Sequence, residues 1–236
     1  DATYGVLANL TNGNIALPYK VTTTNVTLQW DMGSAKSVTF ATLFHTNLDA
    51  TTCQWQFSDD PAFATSETAD MVLPTEYVDG FYDNPWLKRE GATARRYVRL
   101  VISGNSAAVT IGGVWFSTQL RQPLHPHARG LKRIERRKAY VHETAGGVRL
   151  TYDTGFRAQD LENMTIMTSR PTGLDLLLNW HRAARGQVRP FPLVVDPGIN
   201  RCWFMTFAKD ELAVEGLNPS WVKVTLDFRE VGRGLA

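Results

Sequence analysis

The sequence has no apolar run approaching the roughly 20 residues that a membrane-spanning helix needs, so no such helix is expected. It has only two cysteines, Cys53 and Cys202, far apart and without CxxC or metal-ligand spacing. Neither a disulfide framework nor a zinc site is written into it, and both thiols read as reduced, half-buried fillers. Phosphate-binding loops, dinucleotide fingerprints, calcium loops and the GxSxG nucleophile elbow are all absent. The first 120 residues also lack any segment with helical periodicity. With 43% hydrophobic and 20% charged residues the chain is not disordered, and at 236 residues it is long for one domain and comfortable for two.

What fills the first half is strand pattern. Val26–Trp30, Ser37–Phe44, Cys53–Phe57, Arg96–Ile102 and Val109–Phe116 are rich in β-branched and aromatic residues that alternate with polar ones. Turn chemistry separates them at Asn12-Gly13, Asp31 to Ser34, Asp59-Asp60-Pro61, Asp79-Gly80, Asn84-Pro85 and Gly104-Asn105. Many short strands within about 120 residues argue for a β-sandwich or jelly roll. Ser117 to Gly130 lacks periodicity and carries Pro123 and Pro126, so residues 1–119 are expected to form one domain, 120–130 a linker and 131–236 a second domain.

The second half opens with strand-like "RKAYVHE" and "GGVRLTYD", then turns once to a helix near 173–185, with Thr172 as N-cap, Asp175 three residues later and Gly186 as the stop. Strands return at Pro190–Pro197, Cys202–Phe207 and Trp221–Phe228. In the last, Val222, Val224, Leu226 and Phe228 alternate with Trp221, Lys223, Thr225 and Asp227.

No arrangement of residues specifies catalysis. Cys53 lies in a β run, where a core thiol is expected, and Asp59-Asp60 before Pro61 reads as an Asx-type turn rather than an acid/base pair. His125 and His127 flank Pro126 with no third ligand close in sequence, and His142 and His181 are isolated. Gly112-Gly113 reads as a bulge or turn. The chain is therefore expected not to be an enzyme and to carry no catalytic, metal or cofactor site.

Two surfaces stand out instead. The net charge of +2 hides an uneven split: residues 1–120 hold 7 Lys/Arg against 11 Asp/Glu, and residues 121–236 hold 18 against 12. The basic surplus peaks at "RGLKRIERRK", with Arg129, Lys132, Arg133, Arg136, Arg137 and Lys138 against Glu135. No aromatic stacking partners are interleaved, so a subunit contact is expected rather than nucleic acid. The second surface is "DGFYDNPWLKRE", where Tyr82, Asp83, Trp86 and Arg89 are candidate contacts for a ligand or partner. The same loop could instead fold its aromatics back over the sandwich.

The stretch "TLQWDMGSAKSVTFATLFHTNLDATTCQWQFSDDPAF", followed by "RRYVRLVISGNSAAVTIGGVWF", resembles the galactose-binding-like jelly roll, the discoidin-type fold. Its marks are the Asp31 to Gly33 turn, the His45 to Leu48 corner, Ser58-Asp59, the Arg96 to Arg99 strand and the glycine-marked strand Ile111 to Phe116. That resemblance covers about half the chain and implies that the corner is structural, with His45 and Asn47 tying a turn. The second half, with "PFPLVVDP" and "WVKVTLDFREVG", is similar in pattern and order to the tail-tube-like or distal-tail-like β domains of tailed-phage tail tips. Together these resemblances imply a structural virion protein of a phage tail tip or baseplate, assembled in the host cytoplasm. It would form a homo-oligomeric ring, trimer or hexamer, with other tail proteins as partners and a peripheral jelly roll for host attachment. The alternative is a carbohydrate-binding module on an adaptor domain that contacts host-surface glycan. No membrane insertion is implied.

Overall fold

A computed structural model describes residues 18–73, 77–78, 81–82, 84–118, 126–127, 132–143, 149–194 and 202–231. The fold is mainly β, with one helix and several antiparallel sheets among the described residues. The chain divides into two compact units: Asp1–Leu120 together with Val194–Trp203, and Arg121–Leu193 together with Phe204–Ala236.

The first unit contains β1 (Tyr19–Lys20), β2 (Val26–Lys36), β3 (Phe40–Thr46), β4 (Thr52–Ser58), β5 (Glu67–Asp70), β6 (Tyr77–Val78), β7 (Phe81–Tyr82), β8 (Trp86–Lys88), β9 (Arg95–Ser103) and β10 (Thr110–Ser117). Four of them form a sheet in the order β2-β9-β4-β5, and six form a second, β1-β10-β3-β7-β6 with β8 also paired to β3. Period-two alternation decides which side chains meet between the sheets. From the smaller sheet come Leu28, Cys53, Trp55, Phe57, Val98, Leu100 and Ile102; from the larger come Ala41, Leu43, Ile111 and Val114. Trp55 is completely buried, stacked on Trp30 at 5.9 Å and edge-on to Phe116 at 6.1 Å. A sandwich-like core results, and it leaves Gln54, Gln56 and Arg99 on the outer side of the smaller sheet.

The second unit contains β11 (Pro126–His127), β12 (Lys132–Glu143), β13 (Arg149–Ser169), α1 (Thr172–Ala184), β14 (Phe191–Leu193), the greater part of β15 (Trp203–Phe207), β16 (Ala213–Asn218) and β17 (Trp221–Glu230). They form one sheet, β11-β13-β17-β15-β14, with β12 also on β13 and β16 also on β17. In β17 the residues Val222, Val224, Leu226 and Phe228 are buried, as their alternation requires. Trp180 of α1 lies 4.9 Å from Phe191, 5.0 Å from Phe207 and 5.8 Å from Phe228, an aromatic cluster that fixes the helix on this face. Helix and sheet approach closely at Gly173, where a Cβ would meet Thr168 Oγ1 at 1.9 Å.

Several details depart from the sequence reading. The residue at the N-cap position is Pro171, not Thr172, and no side chain caps the helix. The first intrahelical bond runs from Asp175 N–H to the Pro171 carbonyl, which places Thr172 inside the first turn. The helix end is shared by Arg185 and Gly186, both left-handed at φ 51° and 58°, whose N–H groups donate to Arg182 O and His181 O. Asp31 to Ser34 is not a turn between strands but an irregularity inside β2, where Gly33 at φ 75° donates its N–H to Asp31 Oδ1. The register of β10 with β3 stays the same across Gly112, with Ile111 opposite Thr46 and Gly113 opposite Phe44. A position without a side chain sits beside a phenylalanine there, so neither glycine makes a bulge. Within the expected linker, Pro126 and His127 pair with Ile166 and Thr165, while the rest of 119–131, including His125, lies outside the described residues.

Two tests follow from this packing. Trp55→Ala should cost about 3–5 kcal/mol, from lost burial plus the cavity left behind, read as a lowered urea midpoint at unchanged slope. Burial pushes the Cys53 thiol up to about 12, and Cys202 is equally enclosed. Neither should react with a maleimide at neutral pH until denaturant unfolds the chain.

Candidate functional site

In the first unit the corner after β3 is held by amides. His45 adopts the left-handed conformation at φ 51°, and its N–H donates to Asn84 Oδ1 at 3.1 Å. Asn47 donates through Nδ2 to Ala108 O and accepts from Thr110 N–H, both at 2.8 Å, which ties the corner to the start of β10. Asn105 Oδ1 accepts from Asp49 N–H at 2.8 Å. The Asp49 carboxylate accepts from Ser106 N–H and Oγ–H, holding it below the usual carboxylate range. These side chains satisfy backbone groups that a corner leaves unpaired. Asn84, Asp49 and Asn105 had no sequence signal beyond being turn residues.

The candidate contact residues beside this corner divide sharply. Arg89 is 9% exposed. Its guanidinium lies over the Phe57 ring at 3.6 Å, donates through Nη1 to Val38 O at 2.9 Å and through Nη2 to Glu67 Oε1. It thereby ties the segment ahead of β3 to β5, one strand from each sheet. Trp86 is half-buried, stacked on Phe40 at 6.1 Å, and its indole Nε1–H has no acceptor. Pairing places Trp86 and Trp115 on either side of Thr42, whose hydroxyl donates to Pro85 O at 2.8 Å. The backbone of Tyr82 pairs with Thr46 and Tyr77, while Asp83 lies outside the described residues.

The outer side of the smaller sheet carries a polar relay that the sequence showed only as an alternation. Arg99 donates to Gln56 Oε1, Gln56 to Gln54 Oε1 at 2.9 Å, and Gln54 to Asp70 Oδ1 at 2.8 Å, crossing β9, β4 and β5. The Arg99 guanidinium also covers the Phe63 ring at 4.0 Å. Asp59 and Asp60 take separate roles. Asp60 accepts from Ala62 and Ala64 N–H, an Asx-type turn, and Asp59 accepts from Arg95 Nη1 at 2.8 Å and Arg96 N–H at 3.1 Å. Arg96 makes a two-pronged pair with Asp31, at 2.9 and 2.8 Å. That contact, with the Gly33 N–H bond, lowers Asp31 to about 2.

In the second unit Lys132, Arg133, Arg136, Arg137 and Lys138 all fall in β12, so the basic run is a strand; Arg129 lies outside the described residues. β12 pairs with β13 from Lys132↔Glu162 to Glu143↔Arg149. β17 joins β13 only from Asp160 onward. Among the described residues, β12 and the first part of β13 therefore form a two-stranded ribbon beyond the sheet. Within it the backbone register sets Arg137 opposite Arg157.

Among the described residues no three His, Cys, Asp or Glu side chains gather in a way that could hold a metal ion. No helix among them is long and apolar enough to cross a membrane. No protein-family model and no curated protein matches the chain.

Arg89→Ala should cost about 2 kcal/mol, because the Val38 carbonyl and Glu67 lose a charged donor; equilibrium denaturation measures it. For Asp31, lowered from 3.8 to about 2, the stabilisation is full above the unfolded value of 3.8. It is lost as pH falls through about 2. Asp31→Asn should therefore flatten the dependence of Tm on pH across that acid window, with little change in slope at neutral pH.

Proposed function

We propose that the chain is a non-catalytic structural component of a phage tail tip or baseplate. In this reading the first unit is a galactose-binding-like jelly roll at the periphery, and the second is a tail-tube-like domain that builds a symmetric ring with other tail proteins. The observation that carries the reading is the β12–β13 ribbon, a long two-stranded extension rich in Lys and Arg in which, among the described residues, residues 149–159 of β13 pair with β12 alone. An isolated two-stranded ribbon is marginal in water, so it belongs naturally to an assembly. The opposite charge balance of the two halves suits contacts between unlike surfaces. Native mass spectrometry across protein and salt concentration tests it: discrete trimeric or hexameric species that weaken with salt are expected. A monomer under every condition would count against it.

One observation favours the second reading, a host-glycan contact on the first unit. Trp86 keeps a buried indole N–H with no acceptor, beside a loop of aromatic and polar residues. Tyr82 and Trp86 would stack on a sugar ring, with Asp83 orienting hydroxyls; Arg89 is already engaged inside the fold. Trp86→Ala should then abolish, and Trp86→Phe weaken, retention on a panel of cell-surface glycans. Equal retention by all three proteins would remove Trp86 as the site.

A further inference from the structure

Two strand edges of the second unit differ in chemistry. Among the described residues β12 pairs with β13 alone and β16 with β17 alone, so each leaves one row of backbone donors and acceptors open. Exposed edges are usually blunted by Lys, Pro or charge. β12 is blunted in this way, since five of its first seven residues are Lys or Arg. β16 is not. All six of its residues are exposed, Glu215 is its one charged side chain, and Val214 and Leu217 are 41% and 44% exposed.

The charge pattern also disfavours two simple registers between like β12 edges. An antiparallel β12–β12 ladder centred on Glu135 would set Lys132 opposite Lys138, Arg133 opposite Arg137 and Glu135 opposite itself. An in-register parallel ladder would set every residue opposite its own kind. Like charges facing each other across a ladder destabilise it. β16, preceded by Asp210 and Glu211 and containing Glu215, is the acidic counterpart. An antiparallel register with Arg136 opposite Glu215 also sets Ile134 opposite Leu217 and Glu135 opposite Gly216. That register offers an ion pair, an apolar pair and a charge facing no side chain. Two strands, β13 and β17, separate β12 from β16 within one chain, so the pairing joins different copies.

We infer that the basic edge of β12 adds to the open edge of β16 on a second copy of this chain, in the antiparallel register that pairs Arg136 with Glu215. The contact is heterologous, each copy using a different surface on its two neighbours, as closure of a ring requires. Existing Lys223 already reaches Glu215 at 2.8 Å, so the carboxylate would sit between two cations. The inference rests on the assembly reading above and names its partner strands.

Cysteine pairing tests it, because Cys53 and Cys202 are both buried and stay silent. Residues opposite each other in an antiparallel ladder have Cα atoms about 4.5–5.5 Å apart, within disulfide range. Ile134→Cys and Leu217→Cys proteins, purified separately, should form a mixed disulfide of dimer mass when combined under mild oxidation, in yield about tenfold above either alone. Arg136→Glu should weaken assembly of the whole chain about tenfold or more, and adding Glu215→Arg should restore it. A homodisulfide from Ile134→Cys alone, equal to the mixed yield, would overturn the pairing of unlike edges. Oligomers in native mass spectrometry without the mixed disulfide would overturn this contact and leave the assembly reading standing. Monomers throughout, with no cross-link, would overturn both.

Discussion

The first unit depends on one strand that has no solvent side. Every residue of β3 is buried, including Thr42, His45 and Thr46, so its backbone must find partners along both edges and its side chains on both faces. One edge is met by β10, the other by β8 and β7 in turn. Between β7 and β8 the ladder is continued by other means: Leu43 N–H donates to Pro85 O, and His45 N–H to the side chain of Asn84. The Asn84 Nδ2 group then donates to Cys202 O at 2.7 Å, which ties a distant piece of chain into the same unit. The positive φ of His45 belongs to this arrangement, because the strand must turn into its corner without leaving a donor unmet.

Charge in the first unit serves mainly internal order. Arg89, Arg95, Arg96 and Arg99 each engage an acceptor elsewhere in the unit, and one of these acceptors, Asp59, belongs to the carboxylate pair that the sequence offered for chemistry. Arg89 differs from the rest in depth. A guanidinium enclosed between an aromatic ring, a carbonyl and a carboxylate tolerates loss of any partner poorly, since an unpaired buried charge costs more than the pair contributes. The second unit gathers many of its basic residues on one strand, β12.

The strands with strong alternation were legible in the sequence. Trp221 to Phe228, Cys53 to Phe57 and Arg96 to Ile102 each lie within strands a few residues longer, because apolar residues at period two can be buried on only one sheet face. The helix was legible for the corresponding reason, but its cap was not, since Pro171 supplies the first carbonyl without a capping side chain. β16 was illegible: Glu215 and Gly216 are poor strand formers, and only the ladder offered by β17 makes that segment a strand. Most of β13 was missed too, as "TGFRAQDLEN" has no clean alternation and takes its conformation from β12 and β17. The surface role of Arg89 was misleading in the sequence because a lone Arg in a polar loop gives no sign of the Phe57 ring beneath it.

The length of β13 has a mechanical consequence. Its 21 residues run without interruption from the ribbon into the middle of the sheet, where eight positions between Asp160 and Ser169 pair with β17. A pull on the ribbon along the strand axis is carried by covalent backbone to that ladder, whose hydrogen bonds lie across the direction of pull. They are loaded together in shear instead of being peeled apart one by one. The ribbon is thus joined to the unit as a tension member, and detaching it requires the sheet to rupture as a whole.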